Sequence, residues 1–429
     1  MVRIMPALSF TRENVANLLD SLQHWVFGLY VLSLPLSISG MEIFSSLLVV
    51  LLLVRWWLTR DRLETPPFAK PLALFMGVAA LSALFGLKPS FSEKLADVAS
   101  LRFFALYFFL YYQLRLYTRS RYWLWILFVA TLVVGVYGVF QHFTPLDLIR
   151  PHGKKIIHYA VEELSLGPRV LGTFDWHLSF ANVYLLYASA FLSLALSMFP
   201  RQWWRLLHAS LLCVVVVWTS SRIAWFATSV TVVLCACTRG WRALAVAVGL
   251  VVLVLLGSFA TSAGMRERLR RTVEGTNPGY NFSQRQCVWE IHRDIFLDHP
   301  VLGIGFHNNG FLSDKYVEGS CIGYVERAVG NAHSTPLEIL ASTGILGALA
   351  YVWFWFSVFL WGLRRYLILE PATKDRAFGW GCLVALLGFN LQGVSHLNIY
   401  EPIIAHNLAF FLALLANMGN LGLSPRSIE

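Results

Sequence analysis

Three basic side chains lie beside predicted helix ends, where they could act together on an anionic group. Residues 283–286 have the sequence Ser-Gln-Arg-Gln, the pattern of a capping box, which places Arg285 in the first turn of a helix. Residues 335–338 have the sequence Thr-Pro-Leu-Glu, a second box with proline at the first helical position and glutamate as the capping partner. His333 therefore lies just before a long apolar helix, and Arg222 follows two serines at the end of another apolar run.

These residue types suit the binding of a pyrophosphate next to a base. An anion at a helix start meets free backbone N–H groups and the positive end of the helix dipole. Arginine is always charged and donates two parallel hydrogen bonds to phosphate. A neutral imidazole can take a proton from an attacking hydroxyl, and positive neighbours keep it neutral. Each residue alone also fits a structural role such as snorkelling or helix capping, but Arg222, Arg285 and His333 together predict a pyrophosphate site.

The elements that carry these residues are predicted to be membrane helices. The chain has 429 residues, is 57% hydrophobic and 14% charged, and has a mean hydropathy of +0.60. A soluble protein of this length needs more polar surface, so the composition indicates an all-α polytopic membrane protein. The net charge of +10 comes from short basic clusters between apolar runs, so we expect no nucleic-acid partner.

Windows of about twenty apolar residues predict about twelve spans. Arginines fall on alternate connections, for example 55–62 and 201–205, and the positive-inside rule makes that side cytoplasmic. Both termini are then cytoplasmic, and Arg222, Arg285 and His333 lie on the opposite face. The predicted windows are 24–39, 42–58, 70–87, 98–114, 122–141, 174–199, 204–219, 223–238, 243–261, 335–362, 377–396 and 401–419.

Two long outer connections are predicted within a single integral membrane domain, residues 1–429. Residues 142–172 form a smaller periplasmic loop. Residues 262–334, between spans 9 and 10, form a large, partly helical periplasmic loop whose end is the catalytic edge. Connections this long usually carry function. Cys287 and Cys321 share the large loop, so they could pair if that loop lies in an oxidising compartment.

A series of short motifs resembles the bacterial O-antigen ligase and polymerase superfamily. The resemblance extends from about Phe103 to Leu415 and depends on the order and spacing of individually weak motifs. Family members commonly have Asn after the histidine, where this chain has Ser334. The motifs are RVLGTF at 169–174, SSR at 220–222, RQCVW at 285–289, HPVLGIGFHN at 299–308, NAHS at 331–334 and GILG at 344–347.

The resemblance implies a multi-pass glycosyltransferase of the bacterial inner membrane, with its active site facing the periplasm and no metal or cofactor. It implies transfer of an O-antigen glycan from undecaprenyl pyrophosphate to a sugar hydroxyl of lipid A–core, with membrane lipids around the protein. Carried onto this chain, it makes Arg222 and Arg285 the residues that bind the donor pyrophosphate and His333 the catalytic base. Secondary polar candidates are His307, Asn308, Asn331 and His177.

The residue types favour a single displacement with inversion. Pyrophosphate is a good leaving group, so the enzyme must hold its charge, align the acceptor and remove one proton. The outer connections contain no Asp-x-Asp metal motif, and their carboxylates are not clustered as a retaining mechanism would need.

Other functions stay open on the sequence alone. An O-antigen polymerase or an O-linked protein oligosaccharyltransferase would use the same donor with a different acceptor; the short segment after the last predicted span favours the ligase. A lipid or glycan transporter would carry charges inside its spans and an inverted repeat. The predicted spans are nearly uncharged apart from Glu42 and Arg102, which favours the enzyme.

Overall fold

The computed structural model of the protein is helical throughout the part that it describes. It describes residues 12–60, 64–117, 122–144, 146–149, 169–261, 266–267, 270, 282–308, 316, 330–371 and 373–423. Every regular element in these ranges is a helix, as the composition predicts. The helices are α1 (Arg12–Ser33), α2 (Ile38–Thr59), α3 (Ala69–Phe85), α4 (Phe91–Ser100), α5 (Arg102–Tyr117), α6 (Tyr122–Phe143), α7 (His177–Met198), α8 (Trp203–Val217), α9 (Arg222–Cys237), α10 (Trp241–Thr261), α11 (Phe282–Asp298), α12 (Thr335–Ile368), α13 (Lys374–Gly393) and α14 (Pro402–Ala416).

Several of these helices are long and apolar enough to cross a membrane. Six runs meet both conditions: α2, α6, α7, α10, α12, and α4 with α5 taken together over Phe91–Leu116. Four shorter helices, α3, α8, α9 and α14, are also apolar. These findings are compatible with a polytopic membrane protein. Each of the predicted windows overlaps a helix, whereas a total of twelve crossings stays a prediction.

Helix α7 is the centre of the bundle. In its most apolar window, 94% of the residues are buried, and it packs against α8, α9 and α13. The hydroxyl of Tyr187 donates to Asn407 of α14, and the hydroxyl of Ser193 donates to the carbonyl oxygen of Ala377 in α13 at 2.6 Å. By contrast, only 11% of the corresponding window of α10 is buried. Helix α10 therefore turns most of its apolar side chains outward, as a lipid-facing helix does.

The first predicted span, 24–39, is wrong at both ends. Helix α1 extends from Arg12 to Ser33, and α2 begins at Ile38 after a turn. Pro35 lies in that turn, and proline restricts the residue before it and lacks the N–H that a continuing helix requires. The chain therefore reverses inside the predicted window.

Helix α12 is broken at Gly344, where the 299–308 motif packs against it. Gly344 has φ 63° and ψ −167°. A Cβ atom there would lie 2.3 Å from the carbonyl oxygen of Val301. Glycine alone accommodates both the positive φ and this close approach. The GILG motif and the HPVLGIGFHN motif thus pack directly against each other.

Backbone hydrogen bonds join these two segments where the helical pattern is interrupted. The N–H of Ile304 donates to the carbonyl oxygen of Ala341 at 3.2 Å, and the N–H of Ile345 donates to that of Pro300 at 2.8 Å. The hydroxyl of Ser82 in α3 lies 2.7 Å from the carbonyl oxygen of Ser342. Buried backbone polar groups need such partners, so the break connects the segment after α11 to α12 and α3.

Between α10 and α12 in the chain, the structure contains α11, the helix that the Ser-Gln-Arg-Gln sequence predicts. Phe282 is already helical, so Ser283 is the second helical residue and not the cap. The helix ends at Asp298, before Pro300, as predicted. Cys287 is disulfide-bonded, whereas Cys321 lies outside the described residues. The loop proposed at 142–172 lies largely outside them too, whereas the loop proposed at 262–334 does so only in part and contains α11; the domain division stays a prediction.

Candidate active site

Arg222 is the first residue of α9 and is exposed. Ser221 is the N-cap, and Ser220 has a φ of 58°, so the chain turns sharply between α8 and α9. The indole N–H of Trp225 donates to the carbonyl oxygen of Val217 at 2.7 Å and braces this turn. A guanidinium at the first helical position adds its charge to the positive end of the helix dipole, which favours a bound anion.

Arg285 lies in the first turn of α11, which packs on the broken part of α12. Ile291 of α11 is buried together with Ile304 and Ala341, which holds the helix in place. Burial lowers the pKa of Arg285, and the charge of Arg222 lowers that pKa further. The two guanidinium groups therefore lie close enough to repel each other.

His333 lies in the turn before α12, in an uncommon backbone conformation with a φ of 45°. Its N–H donates to Asn331 Oδ1 at 2.9 Å, and the N–H of Ala332 donates to Glu338 Oε2 at 2.8 Å. Burial lowers the pKa of His333, and the charge of Arg285 lowers it further, so the ring is neutral near pH 7. Its Nε2 is buried without a hydrogen-bond partner among the described residues.

The predicted capping box at the start of α12 is wrong in its details. The N-cap is Ser334 and not Thr335, its side chain makes no capping hydrogen bond, and Pro336 is the second helical residue. The hydroxyl of Thr335 lies 2.8 Å from Asn398 Oδ1. Glu338 is not the partner of Thr335 but reaches back to the turn that carries the histidine. A tertiary hydrogen bond has replaced the local one.

Glu338 also connects α12 with α11. Its Oε2 lies 3.8 Å from His292 Nε2, and both side chains are at most 1% exposed. His292 Nδ1 lies 2.7 Å from the carbonyl oxygen of Val288, which can only accept, so Nδ1 carries a proton. Burial lowers the pKa of His292 to about 4, and the charge of His333 contributes. His292 lies two turns after Arg285 on the same face of α11, so that face of α11 lies beside the carboxylate that holds the His333 turn.

The structure brings one further histidine, which the sequence analysis missed, to the same place. His396 lies in the connection between α13 and α14 and is buried. Burial lowers its pKa to about 3, and the charges of His333 and Arg285 both contribute. A signal was available, because residues 392–398 concentrate Gln, Ser, His and Asn around the short connection between α13 and α14.

The secondary candidates occupy different surroundings. Asn331 Oδ1 accepts from the N–H of His333 and so holds the His333 turn. Asn308 is buried and donates from Nδ2 to the carbonyl oxygen of Ile304 at 2.8 Å, which is a packing role. His177 Nε2 lies 2.8 Å from Arg169 Nη1.

His307 is exposed and contacts α4 instead of the His333 turn. Its Nδ1 lies 3.5 Å from Asp97 Oδ1, and Asp97 also pairs with Lys88 at 2.7 Å. The His307 ring packs edge-on against Tyr400, with ring centroids 4.6 Å apart. Among the secondary candidates, Asn331 alone hydrogen-bonds with His333 in the described part of the chain.

The arrangement combines a positive site with a neutral base. Arg222 and Arg285 supply two guanidinium groups, and His333 supplies a buried imidazole nitrogen with a lowered pKa. Across the described ranges, no group of three or more His, Cys, Asp and Glu side chains could hold a metal ion. The site can bind an anion and accept a proton beside it.

Comparison with known families agrees with the motifs. Residues 207–352 match the family model described as O-antigen ligase. This match covers less than half of the chain and supports a protein of the O-antigen ligase and polymerase family. The family match contains Arg222, Arg285 and His333, and it is narrower than the resemblance from Phe103 to Leu415. No curated protein matches the chain.

The matched region contains most of the candidate site. It includes the break at Gly344 and the contact between His292 and Glu338, whereas His396 lies beyond its end. Members of the family are glycosyltransferase-like enzymes. The resemblance inferred from the motifs is therefore confirmed at the level of the family.

Proposed function

We propose that this protein is an O-antigen ligase that transfers an O-antigen glycan from undecaprenyl pyrophosphate to a sugar hydroxyl of lipid A–core. The transfer inverts the anomeric carbon and needs no metal ion. The observation that supports this most strongly is the electrostatic series from Arg222 through Arg285 to His333, in which each charge lowers the pKa of the next group.

The two arginines suit a pyrophosphate better than a neutral ligand. Arg222 stands at a helix start, and Arg285 is partly buried near it, so their positive charges repel each other. A pyrophosphate between them would relieve this repulsion and accept paired hydrogen bonds from each guanidinium. The leaving group would then be held in place before the reaction begins.

His333 would act as the base. Its buried Nε2 accepts the proton of the acceptor hydroxyl while the hydroxyl oxygen bonds to the anomeric carbon of the donor. The bond between that carbon and the pyrophosphate oxygen breaks, and its electron pair leaves with the pyrophosphate between Arg222 and Arg285. Attack from the face opposite the leaving group inverts the configuration.

We also propose that the site faces the periplasm from the bacterial inner membrane, with both termini in the cytoplasm. Arg222 begins α9, whereas the basic residues Arg239 and Arg242 lie at its other end, beside the start of α10. By the positive-inside rule, the end that carries Arg239 and Arg242 is cytoplasmic. Arg222 and its neighbours then lie on the periplasmic side.

A direct test uses the purified protein with undecaprenyl-pyrophosphate glycan and lipid A–core. Arg222→Ala, Arg285→Ala and His333→Ala should each abolish transfer and keep a folded membrane protein, because Arg222 is exposed and Arg285 and His333 are only partly buried. Arg242→Ala and Arg293→Ala are matched controls: Arg242 is in the first turn of α10, and Arg293 is an exposed residue of α11 paired with Asp294 at 2.9 Å. Wild-type rates in the first three variants would disprove the site.

The acceptor distinguishes the ligase from its alternatives. Lipid A–core that gains glycan supports the ligase, a second lipid-linked glycan that is extended supports a polymerase, and a glycosylated protein acceptor supports an O-linked protein oligosaccharyltransferase. Transfer should also continue in EDTA. Loss of transfer in EDTA that added Mg²⁺ restores would contradict the metal-independent reaction.

A further inference from the structure

His396 belongs to the site by its position, although it is distant in sequence from the other residues. Its backbone carbonyl oxygen lies 3.1 Å from the hydroxyl of Thr335, two residues after His333. The N–H of Asn398 also donates to that hydroxyl, at 3.2 Å. These contacts hold the connection between α13 and α14 against the start of α12. Burial lowers the pKa of His396, and the charges of protonated His333 and of Arg285 lower it further.

The hydrogen bonds around His396 determine which of its ring nitrogens carries the proton. Asn398 donates from Nδ2 to the carbonyl oxygen of Phe389 at 2.9 Å and to Asn182 Oδ1 at 3.0 Å. Asn182 donates from Nδ2 to the carbonyl oxygen of Leu178 at 2.9 Å. Because carbonyl oxygens can only accept, both amide orientations are determined. The Nδ2 group of Asn182 therefore faces His396 Nδ1, at 3.2 Å.

A donor opposite Nδ1 means that Nδ1 accepts, so the neutral ring carries its proton on Nε2. Burial and the nearby positive charges keep the pKa of His396 well below its usual value, which favours this neutral form. No described residue accepts a hydrogen bond from Nε2. An uncharged N–H donor is thus held in the connection that hydrogen-bonds to Thr335, two residues after the proposed base His333.

We propose that His396 is a catalytic residue that donates from Nε2–H to an oxygen of the pyrophosphate leaving group, and that Asn182 is the positioning residue that sets its tautomer. The inference rests on the proposed function. Negative charge grows on this oxygen as the glycosidic bond breaks, and a donor fixed in advance stabilises it. A neutral donor can stand beside Arg285 without adding to the repulsion between positive charges.

The test compares His396→Phe with His396→Gln in the full-length protein. Removal of the donor should lower kcat about 10²-fold with little change in the KM for the donor lipid, as with other donors that act on a developing charge. His396→Gln keeps an N–H group and should recover a large part of the lost rate. His208→Phe is the matched control: His208 in α8 is also buried, and its Nε2 lies 3.1 Å from the hydroxyl of Thr131 in α6. This substitution should lower stability without changing kcat.

Asn182→Asp tests the tautomer separately. The carboxylate presents an acceptor to Nδ1 and draws the ring proton there, so kcat should fall about as far as in His396→Phe, while melting temperature reports whether the fold is retained. The inference is wrong if His396→Phe keeps wild-type kcat, or if His396→Gln is as slow as His396→Phe in folded protein. Wild-type transfer by His333→Ala would instead disprove the proposed function itself. Inactive His333→Ala with fully active His396→Phe would remove only the inference about His396.

Discussion

Glu338 offers the sharpest test of how the fold positions the proposed base, because its carboxylate holds the backbone next to His333. Glu338 Oε2 accepts from the N–H of Ala332 at 2.8 Å, and both residues are at most 1% exposed. Glu338→Met keeps the length and packing of the side chain but removes the acceptor. A buried donor left without a partner costs about 1–3 kcal/mol. His333 already has a φ of 45°, so the turn depends on such bonds to stay in place.

If the lost hydrogen bond destabilises the observed turn by that free energy, the fraction of protein with a correctly placed His333 falls roughly 5- to 150-fold, since about 1.4 kcal/mol corresponds to a factor of ten. We therefore expect a loss of kcat of that size in Glu338→Met. Glu338→Gln keeps an oxygen that can accept from Ala332 and should lose no more than about fivefold. The affinity for the donor lipid should change little, because neither arginine belongs to the turn.

The assay is the initial rate of transfer from labelled undecaprenyl-pyrophosphate glycan at saturating donor, with melting temperature measured on the same samples. Separate measurement of kcat and KM distinguishes a misplaced base from a damaged donor site. A Glu338→Met variant that keeps wild-type kcat while His333→Ala is inactive would refute this reasoning. An equal loss in Glu338→Gln would show that the charge matters and not the acceptor.

Two further predictions follow from pKa values and from backbone geometry. Because the pKa of His333 is lowered, its neutral form persists below pH 6.5, so kcat/KM should fall only as the pH drops through that lowered pKa. Arg285→Gln removes a positive neighbour and should move this acid limb to higher pH in the residual activity; an unmoved limb would contradict the electrostatic coupling. Gly344→Ala places a Cβ atom 2.3 Å from the carbonyl oxygen of Val301 and forces a positive φ on alanine, so melting temperature and activity should both fall. Gly249→Ala in α10, where a Cβ meets no atom within 4 Å, is the control and should lower neither.

Much of the fold was accessible from local patterns. Apolar runs predict the helices because each run must bury or expose its side chains as a unit, and the Ser-Gln-Arg-Gln sequence predicts the start of α11 to within two residues. The start of α12 was harder to predict, because Thr335 bonds to Asn398, a residue 63 positions away, and not to its own helix. Local capping rules contain no information about such a partner.

In the candidate site, too, local patterns predicted some features and tertiary contacts decided the others. Arg222, Arg285 and His333 could be selected as candidates from residue type, from their places beside helix ends and from the motifs they belong to. Their proximity could not be predicted from these signals, because α9, α11 and α12 meet through packing between residues far apart in the chain. Glu338 was misassigned as a local cap, and His396 was missed, since their roles depend on partners in other helices.

The sequence by itself determined that this is an apolar, helical protein with basic and imidazole side chains at helix starts, because residue type and spacing act over one or two helical turns. Only the tertiary structure decided which of those side chains meet, which nitrogen of His396 carries its proton, and what holds His333 in a left-handed turn. These properties depend on hydrogen bonds and on the loss of solvent between distant helices, and neither exists until the helices pack together.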